Sequence, residues 1–200
     1  MRWVSFFVIG MAFFVAGCAE TPQPKVITMV NAAAVDAPVL ERVRAFAEKE
    51  LHVPVRVVEQ PKLASKSSFQ ELTTAAQRMK KESDVTLIVL ARIEGDTQHL
   101  KVESSQGIAV VNVRILEVDD AEKFARRLER QMMRAVAFTF GFDPTPDPFC
   151  VTRDYSSLEE LDTMGRNFTP PWQDRFAKEA EQRGLIRIVE EVDATGTEAQ

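Results

Sequence analysis

Apolar and polar positions change their spacing along the chain, and each change predicts an element. "KVITMV" (25–30) is mostly apolar and predicts a first strand. In "DAPVLERVRAFAEKEL" (36–51) the period becomes helical: Leu40, Val43, Phe46, Ala47 and Leu51 share one face. Asp36 is a candidate N-cap and Pro38 falls in the first turn. "VPVRVVE" (53–59) alternates like a strand, and "SFQELTTAAQRMKKE" (68–82) predicts a second helix capped by Ser67 or Ser68. "DVTLIVLARI" (84–93) is a nearly continuous apolar run, the pattern of a strand covered on both faces. "GDTQ" (95–98) is a turn, and "HLKVESS" (99–105) and "GIAVVNVRIL" (107–116) predict further strands. A long third helix follows over 120–140, with Phe124, Leu128, Met132, Ala135, Val136 and Phe140 as its apolar side. After Gly141 the pattern breaks: Pro144, Pro146 and Pro148 forbid regular structure. "SLEELDTMG" (157–165) and "PPWQDRFAKEAEQRG" (170–184) offer two more short helices.

This order predicts an α/β fold, a mixed sheet packed with helices, with one long helix and an irregular proline-rich C-terminal part. A single domain spans 26–184, and 185–200 is a tail. No internal repeat is present in the sequence.

Composition changes this picture only at the ends. The chain has 200 residues and a formal charge of -5, with no basic patch of the kind nucleic acid requires. Residues 1–17 combine Arg2 with a long apolar run, as a secretory signal does. The run ends in Val15-Ala16-Gly17-Cys18, which matches a bacterial lipobox, so Cys18 is the expected lipidation site. An ordinary signal peptide or anchor helix that happens to hold a cysteine is the alternative. Residues 18–25 then form a lipidated tether. Burial of acyl methylenes at about 0.8 kcal/mol each would hold the protein on a membrane. The expected location is the bacterial envelope, on the periplasmic side of an outer membrane in a Gram-negative cell, because Ala19 and not Asp follows the cysteine. With Cys18 acylated, Cys150 has no disulfide partner in the chain.

The stretch "SLEELDTMGRNFTPPWQDRF" (157–176) carries the functional signal, above all Ser157–Asp162 and Gly165–Phe168. With "GIAVVNVRIL" it resembles the archaemetzincins, a compact branch of the metzincin zinc proteases, over about Val26 to Phe176. Their motif is H-E-x-x-H-x-x-G-x-x-H-C, four residues, C-x-M, and later C-x-x-C. Gly141 sets the register. The resemblance then places the metal-binding histidines at Arg134, Phe138 and Pro144, and the catalytic glutamate at Ala135. It places the structural-zinc cysteines at Thr145, Cys150, Thr169 and Trp172, and the methionine at Thr152. Zinc takes neutral imidazole, thiolate or carboxylate. Arginine has no lone pair to give, phenylalanine and proline have no donor, and alanine cannot act as a base. Of the structural set one thiol remains. Neither a catalytic metal nor another cofactor is expected.

Other centres are weaker. His52 and His99 read as edge histidines. Asp143, Asp147 and Asp154 lack the spacing of a calcium loop. Cys150 as a nucleophile has no evident base nearby. Phe138, Phe140 and Trp172 are expected to fill volume left by the metals. The implied function is a membrane-tethered pseudo-peptidase that binds a peptide or protein beside "GIAVVNVRIL", read as the edge strand. The alternative is an active hydrolase with a non-standard centre. No motif specifies the oligomeric state.

Overall fold

The computed structural model describes residues 23–66 and 68–188. Cys18 and most of the tether lie outside them. Five apolar runs become strands: β1 (Val26–Asn31), β2 (Val55–Glu59), β3 (Asp84–Ala91), β4 (Leu100–Glu103) and β5 (Ile108–Asn112). They form one sheet in the order β2-β1-β3-β5-β4. Neighbours are parallel, except that β4 runs antiparallel to β5. β3 lies at the centre of this order and is covered on both faces, as its unbroken apolar run predicts.

Helices cover both faces. Ile88 and Leu90 of β3 and Ala109 and Val111 of β5 pack towards α1 (Ala37–Leu51) and α4 (Ala121–Thr139). The alternate residues Leu87, Val89, Ile108 and Val110 pack with Phe69, Leu72 and Ala76 of α2 (Phe69–Met79). Among the described residues no helix is long and apolar enough to cross a membrane.

Four expectations are corrected. "GIAVVNVRIL" is not one strand: β5 stops at Asn112, and Val113–Leu116 is a short helix, α3. The Asn112 side chain causes the break. Its Oδ1 accepts from the Ile93 amide at 3.0 Å and its Nδ2 donates to the Ile93 carbonyl at 3.2 Å. Nor is this strand an edge, because β4 covers it, so the free edge belongs to β4. The second helix ends at Met79, not Glu82, since the Asp84 carboxylate accepts the Lys81 amide at 2.8 Å and turns the chain into β3. The ordered chain also runs past 184: Leu185 is buried and bridges to Lys25, and the Ile188 amide donates to the His52 carbonyl.

α4 is the centre of the molecule. Asp120 caps its start by accepting the Lys123 amide at 3.1 Å. Its end is closed by Gly141 at φ 78, with Phe142 N donating to Ala137 O and Gly141 N to Phe138 O. That is a Schellman termination, and a side chain would strain it. The sequence pattern assigns α4 one apolar face. In the structure Arg127, Glu129, Arg130, Gln131, Arg134 and Thr139 are buried as well. After it come α5 (Leu158–Thr163) and α6 (Pro170–Gln182), separated by "MGRNFT". Here Gly165 passes so close to Phe149 that a Cβ would lie 1.8 Å from its carbonyl oxygen.

Candidate functional site: a cleft between the edge strand and the long helix

Apart from Thr139, which bonds Thr86 and the Val136 carbonyl, the buried polar residues of α4 fall into two sets. One set clamps the helix in place. Arg127 grips Asp162 through two hydrogen bonds of 2.7 Å and reaches the Leu116 carbonyl. This pairing holds the Asp162 carboxyl below the ordinary range, with the Arg127 hydrogen bond as the main cause. Arg130 donates to the Asp162 and Met164 carbonyls. Glu129 pairs with Arg42 at 2.9 Å and Arg166 at 2.7 Å. α4 is thus tied to α1, α5 and the 164–168 loop.

The second set, Gln131 and Arg134, turns towards the β4 side. Arg127, Gln131 and Arg134 are spaced i, i+4, i+7, so they form one stripe along α4. Arg134 is only 7% exposed. Its Nη1 donates to the carbonyls of Val151, at 2.9 Å, and Arg153. The guanidinium lies 4.9 Å from the ring of Phe138 and 4.9 Å from that of Tyr155. Tyr155 holds two further partners: Gln131 Nε2 donates to its hydroxyl at 2.6 Å, and His99 Nδ1 lies 2.6 Å from the same oxygen.

These groups border an open cleft of about 630 Å³. Leu100 and Val102 of β4 form one wall, with Phe138, Phe142 and Pro144 opposite and His99, Arg134, Asp154 and Tyr155 as its polar part. Burial pushes the His99 imidazole down, and the charges of Arg134 and Arg127 push it the same way. Burial pushes the Tyr155 phenol up, against the lowering pull of Arg134. Burial also lowers Arg134, but arginine stays cationic in proteins. At neutral pH the cleft therefore holds one neutral imidazole, one neutral phenol and one guanidinium.

The positions marked in the sequence are distributed as follows. Arg134, Phe138 and Pro144 converge on the cleft, whereas Ala135 is packed in the core with no exposure. Thr169 and Trp172 share the first turn of α6, where Thr169 O accepts the Trp172 amide. Thr145 accepts the Asp147 amide. Cys150 is fully buried with its Sγ 3.1 Å from the Thr152 hydroxyl. Asp147 spends its carboxylate on the Phe149 amide, and Asp154 lies 3.9 Å from Arg134. Among the described residues no three His, Cys, Asp or Glu gather to hold a metal ion. His52 ends α1 in the left-handed region at φ 53.

Zinc does not fit this donor set. Arg134 offers only N–H groups, Phe138 offers a ring face, and Pro144 offers nothing. His99 supplies one imidazole, whose Nδ1 is already engaged by Tyr155, and Asp154 one exposed carboxylate, short of the three protein donors that a catalytic zinc takes. The three aromatics expected to fill volume behave differently: Trp172 packs 5.4 Å from Phe142. Phe140 does pack inward, 4.9 Å from Phe176. Phe138 instead walls an open cleft, because the Arg134 guanidinium occupies its ring face. His99, Gln131 and Tyr155 were not singled out by the sequence pattern as site residues. The available signal was the polar stripe Arg127–Gln131–Arg134 running beside the apolar face of α4.

The structure resembles solved zinc-peptidase structures. An archaemetzincin from Methanopyrus kandleri matches with a TM-score of 0.63 at 18% identity, covering 79% of this chain and 96% of its own. A zinc-dependent peptidase from Methanocorpusculum labreanum gives 0.61 at 14% identity, over 75% and 99% of the two chains. An archaemetzincin from Archaeoglobus fulgidus, complexed with malonate, gives 0.58 at 16%, over 75% and 99%. No protein-family model matches the sequence. No curated protein matches it either. The class of fold is therefore the mixed α/β fold of zinc-dependent peptidases. More narrowly, it is the archaemetzincin fold expected from residues 157–176.

Proposed function

We propose that this chain is a membrane-tethered, non-catalytic relative of the archaemetzincins that binds an extended peptide or protein segment along β4. The observation that carries the reading is the donor chemistry of the cleft. A guanidinium, a phenyl ring and a proline stand where the resemblance implies three zinc ligands, and Ala135 stands where it implies the base.

The free edge supports peptide docking. Asn112 N donates to His99 O across the β4–β5 ladder. In an antiparallel pair the alternate residues, here Leu100 and Val102, turn their backbone groups away from the partner strand. Gln98 takes the Leu100 carbonyl at 3.1 Å. The Leu100 amide and both backbone groups of Val102 have no partner among the described residues, and they run beside the cleft. The hydrolase alternative has less support. Cys150 is fully buried, and Tyr155 has its phenol raised by burial rather than activated.

Tethering rests on Cys18 alone. Labelled palmitate should enter the wild-type chain in bacterial cells and not Cys18→Ser. Equal labelling of both would remove the tether from the reading. For the cleft, the full chain in detergent is incubated with a fluorogenic peptide pool and added zinc. Retention without cleavage is expected. Cleavage that a chelator abolishes would contradict the non-catalytic assignment.

A further inference from the structure

We infer that Arg134 makes the cleft a carboxylate-recognition site, taking the free C-terminal carboxylate of a peptide whose last residue is apolar. The inference rests on the peptide-binding reading above and specifies what the peptide must carry.

The guanidinium is used on one side only. Both Nη1 hydrogens go to the Val151 and Arg153 carbonyls, which fix its plane between the Phe138 and Tyr155 rings. Nε and Nη2 make no hydrogen bond among the described residues, although the side chain is 8% exposed. Its ion-pair partner is Asp154, at 3.9 Å and 80% exposed. That separation is beyond hydrogen-bond reach, and so exposed a carboxylate is screened by water. A cation this deeply buried is stabilised by a close anion with hydrogen-bonding geometry. Among the described residues the protein supplies the position and the plane but no anion within hydrogen-bond reach.

The surroundings select the rest of the ligand. Leu100, Val102, Phe138 and Phe142 offer apolar walls for one side chain. His99 and Tyr155 stand beside the guanidinium, and the one proton left beyond their mutual hydrogen bond, on His99 Nε2 or the Tyr155 hydroxyl according to the tautomer, can go to a carboxylate. A guanidinium accepts a carboxylate through two parallel N–H···O bonds, which lysine could not reproduce. A carboxylate on an Asp or Glu side chain has the same chemistry, so the test separates the two sources.

The full chain in detergent is titrated with three hexapeptide pools of random sequence, each ending in an apolar residue. One pool has free C-terminal acids, one is amidated without acidic residues, and one is amidated with an internal Glu. The acid pool should bind about ten- to a hundredfold more tightly than the plain amidated pool, the usual worth of a charge-assisted hydrogen-bonded pair. Arg134→Met should bring the acid pool down to the amidated level. Arg134 also holds the 151–153 loop, so Asp154→Asn provides an independent reading on a well-exposed residue. It removes the competing carboxylate and should tighten binding of the acid pool more than that of the plain amidated pool. Glu-containing amides binding as tightly as the acids would keep the carboxylate site and overturn its assignment to a C-terminus. Acid and plain amidated pools binding equally, with Asp154→Asn neutral, would overturn the carboxylate site while peptide binding stood. Binding of no pool would overturn both.

Discussion

The cleft at Arg134 and the aromatic cluster behind Phe142 flank the same helix end, yet they are built in opposite ways. In the cluster, Phe140 and Phe176 lie 4.9 Å apart, Phe168 and Phe176 5.8 Å, and Phe142 and Trp172 5.4 Å. Arg183 and Arg175 cover its outer rings, at 4.2 Å from Phe140 and 4.5 Å from Phe142. The space is closed by packing. In the cleft, polar groups face an open volume, and among the described residues one cation has no carboxylate within hydrogen-bond reach. The resemblance places a metal in each region: the structural one among Thr145, Cys150, Thr169 and Trp172, and the catalytic one at Arg134, Phe138 and Pro144. Where the chain can enclose the space, apolar volume suffices for the fold. Where the space opens to solvent beside a free strand edge, packing leaves it open and a charge occupies its floor.

This contrast can be broken by mutation. Phe176→Ala should cost the most, about 3–5 kcal/mol in a denaturant melt, because a fully buried ring is removed from the middle of the cluster. A loss under about 1 kcal/mol would mean that the cluster does not carry stability. Asp162→Asn comes next, at about 2–3 kcal/mol, since it leaves Arg127, 6% exposed, without its carboxylate. Its pH signature is specific. The folded-state pKa of Asp162 is lowered. Its contribution is therefore complete above the ordinary carboxylate range and is lost as pH falls through the lower folded value. The wild-type chain should lose stability across that acid window, and Asp162→Asn should lose less there.

Smaller effects belong to the cleft. Phe138→Ala should cost about 1–2 kcal/mol, less than Phe176→Ala, because Phe138 is only half-buried and faces open volume. Equal losses at the two positions would erase the distinction between a packed region and an open one. Asp154→Asn should stay within about 0.5 kcal/mol of wild type in the same melt, as a weak and exposed ion pair implies.

How far the sequence revealed this arrangement follows from the range of the interactions. β3, α1 and α4 were legible because their apolar periods are local. The Gly141 stop was legible for the same reason. The register through Gly141 also brought Arg134, Phe138 and Pro144 to one cleft. The break at Asn112 was hidden, because that side chain satisfies Ile93, on the loop after β3, rather than its own neighbours. Strand order was hidden too, since one apolar run reads alike at a sheet's centre and beside its edge. His99 read as an edge histidine because its partner Tyr155 is 56 residues away. The burial of Arg127, Glu129 and Arg130 could not be read from one helix, because their partners sit on α1, α5 and the loop beyond.

The most direct measurement is the metal content of the purified full chain, taken with its melting temperature before and after chelator. A cleft floored by a guanidinium predicts zinc well below one equivalent and an unchanged melting temperature. One tightly held zinc per chain, with melting that falls when it is removed, would contradict the account.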